Sequence, residues 1–128
     1  MRVSEIMTKA AVTDQSDDTL AEAARKMWKQ QTGSLLVIDG DDLVGILTER
    51  DILKAVATGS RLEETRISEV MSKDVVTVGP QTSLREAAQR LRQQRFGALP
   101  VVENGKLVGI ITRSDLLDAI LTQEAPEK

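Results

Sequence analysis

The sequence predicts a mixed α/β fold made of two tandem βαββα units related by a pseudo-twofold axis. Three observations carry this. The chain of 128 residues aligns with itself, without a gap, when shifted by 64 positions. Over residues 3–56 the shift gives 22 identities in 54 pairs, and internal repetition at that length is the signature of a duplicated structural unit. Within each copy the apolar pattern switches in the same order, from a short run to helical spacing and then to two short runs joined by a turn. We therefore read residues 1–60 as the first repeat, 61–66 as a polar linker, 67–123 as the second repeat and 124–128 as a frayed tail.

Each element is justified by its own residues. Ala11–Thr13 and Val75–Val78 are short apolar segments and read as strands. Thr19-x-x-Glu22 and Ser83-x-x-Glu86 fit a capping box, in which hydroxyl and carboxylate satisfy the free N–H groups at a helix start. The helices follow with apolar residues at Leu20, Ala23, Ala24 and Met27, or at Leu84, Ala87, Ala88 and Leu91, the one-sided i, i+3, i+4, i+7 spacing. Gly33 and Gly97 are read as their C-terminal stops. Leu35–Ile38 and Leu99–Val102 are continuous apolar runs, expected to be buried strands. The turns Asp39-Gly40-Asp41-Asp42 and Glu103-Asn104-Gly105-Lys106 lead each chain back as a hairpin through Leu43–Leu47 and Leu107–Ile111. A second helix is expected from Thr48 to about Ala57, closed by Gly59, and from Thr112 to about Thr122.

Composition narrows the function. Apolar residues make up 41% and charged residues 29%, with no Cys and no His. Disulfides, thiol nucleophiles, imidazole bases and nearly every zinc site are thereby excluded. Trp28 and Phe96 are the only aromatic residues, too few for a base-stacking platform. No apolar run approaches a membrane span, and the acid at Glu5 falls where a signal peptide would be apolar, so a cytoplasmic protein is expected. The net charge of −3 is uneven, −4 over residues 1–64 and +1 over 65–128. Arg85, Arg90, Arg92 and Arg95 form either a solvated helix face or local help for an anionic ligand. A pI near 5.0 argues against nucleic acid.

The sharpest motif occurs twice. Gly45-Ile46-Leu47-Thr48-Glu49-Arg50-Asp51 matches Gly109-Ile110-Ile111-Thr112-Arg113-Ser114-Asp115, at a strand-to-helix junction in both copies. As structure, Thr-x-x-Asp is a helix cap. As chemistry, an Asp in the first turn can accept hydrogen bonds from two adjacent ribose hydroxyls, while Thr and helix N–H groups meet a phosphate. Asp is shorter than Glu and is expected to reach back to the cap less well. Glycine inside a strand weakens it unless something approaches closely. Both points favour a ligand.

The ordered set Ser4-Glu5-Ile6-Met7, Ser68-Glu69-Val70-Met71, Ala98-Leu99-Pro100-Val101-Val102 and the two G-h-h-T-x-x-D motifs (h, apolar) resembles the cystathionine β-synthase (CBS) domain pair, or Bateman module, over residues 3–122. The resemblance implies clefts between the repeats that hold AMP, ADP or ATP, or else S-adenosylmethionine or NAD, with no obligatory cofactor. It implies that Asp51 and Asp115 take ribose hydroxyls and that Thr48 and Thr112 lie near phosphate or ribose. Gly33-Ser34 and Gly97-Ala98 would flank adenine, and Thr8-Lys9 and Ser72-Lys73 would complete the wall. Arg50 and Arg113 are further candidates, and Phe96 packs either on a base or in the core. The expected protein is a regulatory nucleotide sensor rather than an enzyme, acting on a partner that the sequence does not name. It is expected to be a homodimer through the second helices, whose apolar residues occupy more than one side. The alternatives are a structural module with unfilled sites and, more remotely, a nucleic-acid-binding protein.

Overall fold

The computed structural model describes residues 1–9, 11–94 and 97–123; the readings that fall on Arg95, Phe96 and the tail 124–128 lie outside them. The chain is mixed α/β. It divides into two compact units, Ala11–Val75 and a second made of Met1–Ala10 with Val76–Lys128. These differ from the sequence repeats at their ends. The segment that opens the first repeat packs with the second, and the stretch 61–75 packs with the first.

The unit Ala11–Val75 contains β1 (Thr13–Gln15), α1 (Leu20–Gln30), β2 (Ser34–Asp39), β3 (Asp42–Thr48), α2 (Glu49–Ala57) and the short α3 (Ile67–Val70). β1 runs parallel to β2, pairing Thr13 with Leu36, and β2 and β3 form an antiparallel hairpin. Gly40 turns that hairpin at φ +64°, a conformation glycine adopts without steric cost. Leu20, Ala23, Met27, Leu35, Val37, Leu47, Ala55 and Ile67 form the core. The 61–66 stretch is part of the unit rather than a loose connection. The carbonyls of Leu62 and Thr65 accept the N–H groups of Ala21 and Leu20 at 3.0 and 2.9 Å, closing the start of α1.

The other unit repeats the pattern with a 3-10 turn at Val3–Glu5, α4 (Leu84–Leu91), β4 (Ala98–Glu103), β5 (Lys106–Thr112) and α5 (Arg113–Gln123). Its hairpin turns on Asn104 and Gly105, both at positive φ, as the Asn-Gly pair predicts. Its core is Val3, Val78, Ala87, Leu91, Leu99, Val101, Ile111 and Leu116. Ser4 N–H donates to the Pro80 carbonyl just as Ser68 N–H donates to that of Ser16, 64 residues apart in each partner. The two units are therefore assembled alike, each closed by the short helical turn that opens the other repeat.

Four expectations need correction. β1 lies at Thr13–Gln15 rather than Ala11–Thr13, because pairing with β2 continues past the apolar residues. Val75–Val78 is no strand and makes a single bridge, Val78 to Val101. Pro100 explains this. In the first unit Leu36 N–H donates to the Val12 carbonyl, but Pro100, at the equivalent place, has no N–H. The Gln94 side chain donates to the Val76 carbonyl instead, at 3.1 Å. Gly33 does not stop α1; Gln31 does, in the left-handed region at φ 56°. Nor does Gly97 stop α4, which ends at Leu91. The capping boxes at Thr19 and Ser83 are half-formed. Each hydroxyl accepts the expected N–H, but Glu22 and Glu86 turn to Arg25 and Arg90, both at 2.6 Å. Arg90 also donates to the Thr77 carbonyl, so one member of the arginine cluster is used within its own unit.

Candidate ligand-binding sites

The two Thr-x-x-Asp motifs begin α2 and α5. Thr48, extended at φ −119° and ψ 164°, is the N-cap of α2. Its hydroxyl accepts Asp51 N–H at 3.2 Å, and Asp51 Oδ2 accepts Thr48 N–H at 2.8 Å and its O–H at 3.0 Å. In the other unit Thr112 accepts Asp115 N–H at 3.0 Å, and Asp115 Oδ2 accepts Thr112 N–H at 2.9 Å. Asp therefore does reach back, contrary to expectation. These are complete capping boxes, and the Glu-containing ones are the incomplete pair. Both Asp residues are half-buried. Among the described residues, Oδ1 of each carboxylate accepts no hydrogen bond and remains available.

The glycine of the motif also has a structural cause. A β-carbon on Gly45 would stand 2.7 Å from Met71 Sδ and 2.8 Å from the Ser72 carbonyl oxygen. One on Gly109 would stand 2.7 Å from Met7 Sδ and 3.1 Å from the Thr8 carbonyl oxygen. What approaches closely is the protein's own segment, not a ligand. The close approach is fixed by paired hydrogen bonds between Ile46 and Ser72, both 2.9 Å, and between Ile110 and Thr8, 2.9 and 2.8 Å.

The remaining candidates fall into two sets, one per unit. Ser34 stands opposite Thr48 in the hairpin, and Glu49 N–H donates to the Gly33 carbonyl at 3.0 Å. Ala98 stands opposite Thr112, and Arg113 N–H donates to the Gly97 carbonyl at 2.8 Å. Ser72 thus joins the Thr48 set and Thr8 joins the Thr112 set. Lys73 and Lys9 come next in chain, but these bridges are antiparallel, so each backbone runs away from its Thr. Both lysines are exposed, and their side chains make no hydrogen bond or ion pair among the described residues. Arg50 is exposed. Glu49, not anticipated from the sequence, lies over Gly33, and Arg113 lies over Gly97. An open depression of about 590 Å³ adjoins the first set, lined by Trp28, Gln31, Thr32, Gly33 and Glu49 among others. No group of three acidic side chains among the described residues is placed to hold a metal.

One ionisable group outside these sets is perturbed. Asp14 on β1 is 6% exposed, and its Oδ2 is buried without a hydrogen-bond partner among the described residues. Burial, and then the neighbouring Asp18 carboxyl, push it up to about 6. Gln15 N–H at 2.8 Å and Lys26 Nζ at 3.7 Å act the other way. The equivalent residue of the second repeat is Val78. That contrast was visible in the alignment of the repeats.

The CBS-domain family model matches this chain twice, over residues 3–58 and 67–122. The chain belongs to the CBS-domain family. A CBS pair is in general a regulatory, ligand-binding module. The chain is 36% identical over 114 residues to the CBS domain-containing protein YhcV of Bacillus subtilis, covering 89% of this chain and 81% of that one. Its fold is similar to that of a Vibrio cholerae protein named for acetoin utilization, AcuB, with a TM-score of 0.85, 36% identity, and coverage of 99% and 96%. It is also similar to the CBS-pair protein CBSX2 of Arabidopsis thaliana, with a TM-score of 0.86, 25% identity, and 96% of each chain covered. No described helix is long and apolar enough to cross a membrane.

Proposed function

We propose that this CBS pair is a cytoplasmic regulatory module that binds an adenine nucleotide at two sites, one at Thr48–Asp51 and one at Thr112–Asp115. Binding passes a change of state to a regulated protein. One observation carries the reading. In both units an Asp held by its own cap keeps, at the start of a helix, an Oδ1 that accepts no hydrogen bond among the described residues, beside a paired strand end that is exposed at Gly33 and half-buried at Gly97. A fixed carboxylate oxygen suits vicinal ribose hydroxyls, since charge-assisted hydrogen bonds are strong and little ordering is lost on binding. The adjacent Thr and helix N–H groups suit phosphate. AMP, ADP and ATP fit this chemistry, and S-adenosylmethionine and NAD share its adenosyl part.

The completed caps favour a second reading, in which the motifs are structural and the sites stay empty. A thermal-shift series with AMP, ADP, ATP, S-adenosylmethionine and NAD separates the two. A ligand that binds only the folded state, present at about 100 times its Kd, adds about 2.7 kcal/mol. Trp28, 87% exposed on the rim of the depression beside Gly33, gives a fluorescence readout for the first site. A melting temperature that ignores all five compounds, with unchanged Trp28 emission, overturns the nucleotide reading.

A further inference from the structure

We propose that the two sites select adenosyl ligands of different charge, and that residues 49 and 113 set the choice. The Thr112 site takes the more anionic class, nucleoside di- and triphosphates. The Thr48 site takes the weakly charged or cationic class, such as adenosine or S-adenosylmethionine. This rests on the adenosyl-binding reading above.

Glu49 and Arg113 are the same residue of the repeat. Each follows the N-cap Thr, and each donates its N–H to the glycine carbonyl of the paired strand end, at 3.0 and 2.8 Å. Each lays its charged group over that glycine. Glu49 Oε1 is 3.3 Å from the β-carbon position of Gly33, and Arg113 Cζ is 3.6 Å from that of Gly97. The geometry is repeated and the charge is inverted. Neither charge is paired among the described residues, and both side chains are exposed. The nearby chain neither adds to the contrast nor cancels it: residues 49–51 with 72–74 carry a net −1 and residues 113–115 with 8–10 a net +1, the values that Glu49 and Arg113 alone supply. Glu49 needs no ligand to explain it, since an acid in the first turn is favoured by the helix dipole. Arg113 opposes that dipole, and an anion in front of α5 would offset the opposition. Unit charges within about 10 Å still interact at ordinary salt, so a phosphate chain on a ribose held by Asp51 or Asp115, two residues along the same helical turn, would feel the charge at residue 49 or 113.

Titration calorimetry with adenosine, AMP, ATP and S-adenosylmethionine tests this. Asp51→Ala leaves the Thr112 site to be measured alone, and Asp115→Ala leaves the Thr48 site. The ratio of ATP to adenosine affinity should be at least about tenfold higher at the Thr112 site. Adding Arg113→Glu should bring the ratio of ATP to adenosine affinity at the Thr112 site down to that of the Thr48 site, and Glu49→Arg should raise the ratio at the Thr48 site. Arg113→Gln and Glu49→Gln should fall between, which covers a charge reversal that unsettles the helix. Raising salt from about 0.05 to about 0.5 M should shrink the contrast. Ligands that bind with equal ratios at both sites, or ratios that ignore the substitutions, overturn charge selection and leave nucleotide binding standing. If none of the four compounds binds the unsubstituted protein, both readings fall.

Discussion

Asp51 and Asp115 each commit Oδ2 to the cap, and Oδ1 accepts no hydrogen bond among the described residues. The cap and the proposed ligand contact are therefore separable. Asp51→Ala removes the acceptor for Thr48 N–H and should cost about 0.5–2 kcal/mol of stability. Asp51→Asn keeps an oxygen for the cap and should cost less. Both remove the charge expected to hold ribose hydroxyls, so nucleotide affinity at that site should fall at least about tenfold in either variant. Thermal melts and titration calorimetry read the two effects apart. A fall in stability with unchanged affinity returns the motif to a cap. Asp14 offers a second test at this scale. A carboxyl raised to about 6 in the fold, against an ordinary 3.8, binds more protons folded than unfolded across that interval. Its contribution to stability is therefore most favourable below about pH 4 and is lost as pH rises through 6, by about 3 kcal/mol. Asp14→Val, which copies Val78, should raise the melting temperature at pH 7–8 by a few degrees, about what 1–3 kcal/mol moves in a domain of this size. The gap between variant and parent should widen from pH 4 to pH 6. A gap that stays constant with pH would show that Asp14 does not titrate there.

The elements were legible where a residue states its own local geometry. Thr and Ser caps, the Asn-Gly turn and the buried apolar runs all fell where the sequence placed them. The failures came where a neighbour decides. Pro100 breaks the ladder at 75–78 from the opposite strand, and Gln31 ends α1 ahead of the glycine. The exchange of end segments was invisible for a deeper reason. Val3 and Ile67 occupy the same place in a duplicated pattern, so either could fill either core, and periodicity cannot say which does. For the same reason the candidate residues were identified but not sorted between the sites. That sorting is testable. Val3 is fully buried, and Met7 and Thr8 pack on Gly109 and Ile110. Deleting residues 1–9 should abolish ligand binding at Asp115 and spare it at Asp51, as calorimetry of the truncated chain in the Asp51→Ala and Asp115→Ala backgrounds would show. Loss confined to the Asp51 site would contradict the assignment. Gly109→Ala probes the same contact more gently. Its β-carbon would crowd Met7, a flexible side chain, and the Thr8 backbone, so a cost of about 1–3 kcal/mol is expected.

At the scale of the whole molecule, the second helices carry more apolar surface than their units use. On α2, Ala55 is buried while Leu53 and Val56 are 68% and 52% exposed. On α5, Leu116 and Ala119 are buried while Leu117, Ile120 and Leu121 are 52–60% exposed. The spacings of three and four residues place the exposed side chains as a stripe on each helix. Large aliphatic residues grouped in this way mark an interaction surface more often than a bare one. A second copy of the chain presents the same two stripes, and a twofold interface needs only a surface that complements itself. We therefore expect a homodimer held through α2 and α5. Light scattering at micromolar concentration should give twice the chain mass of 14.0 kDa. The melting temperature should rise with protein concentration, because association draws only on the folded state. Leu53→Glu with Leu117→Glu places charges on exposed positions without touching either core. The double variant should run as a monomer, keep its helical circular dichroism, and melt at a temperature that no longer depends on concentration. A parent protein that already scatters as a monomer, with a concentration-independent melt, would leave those stripes to some other partner.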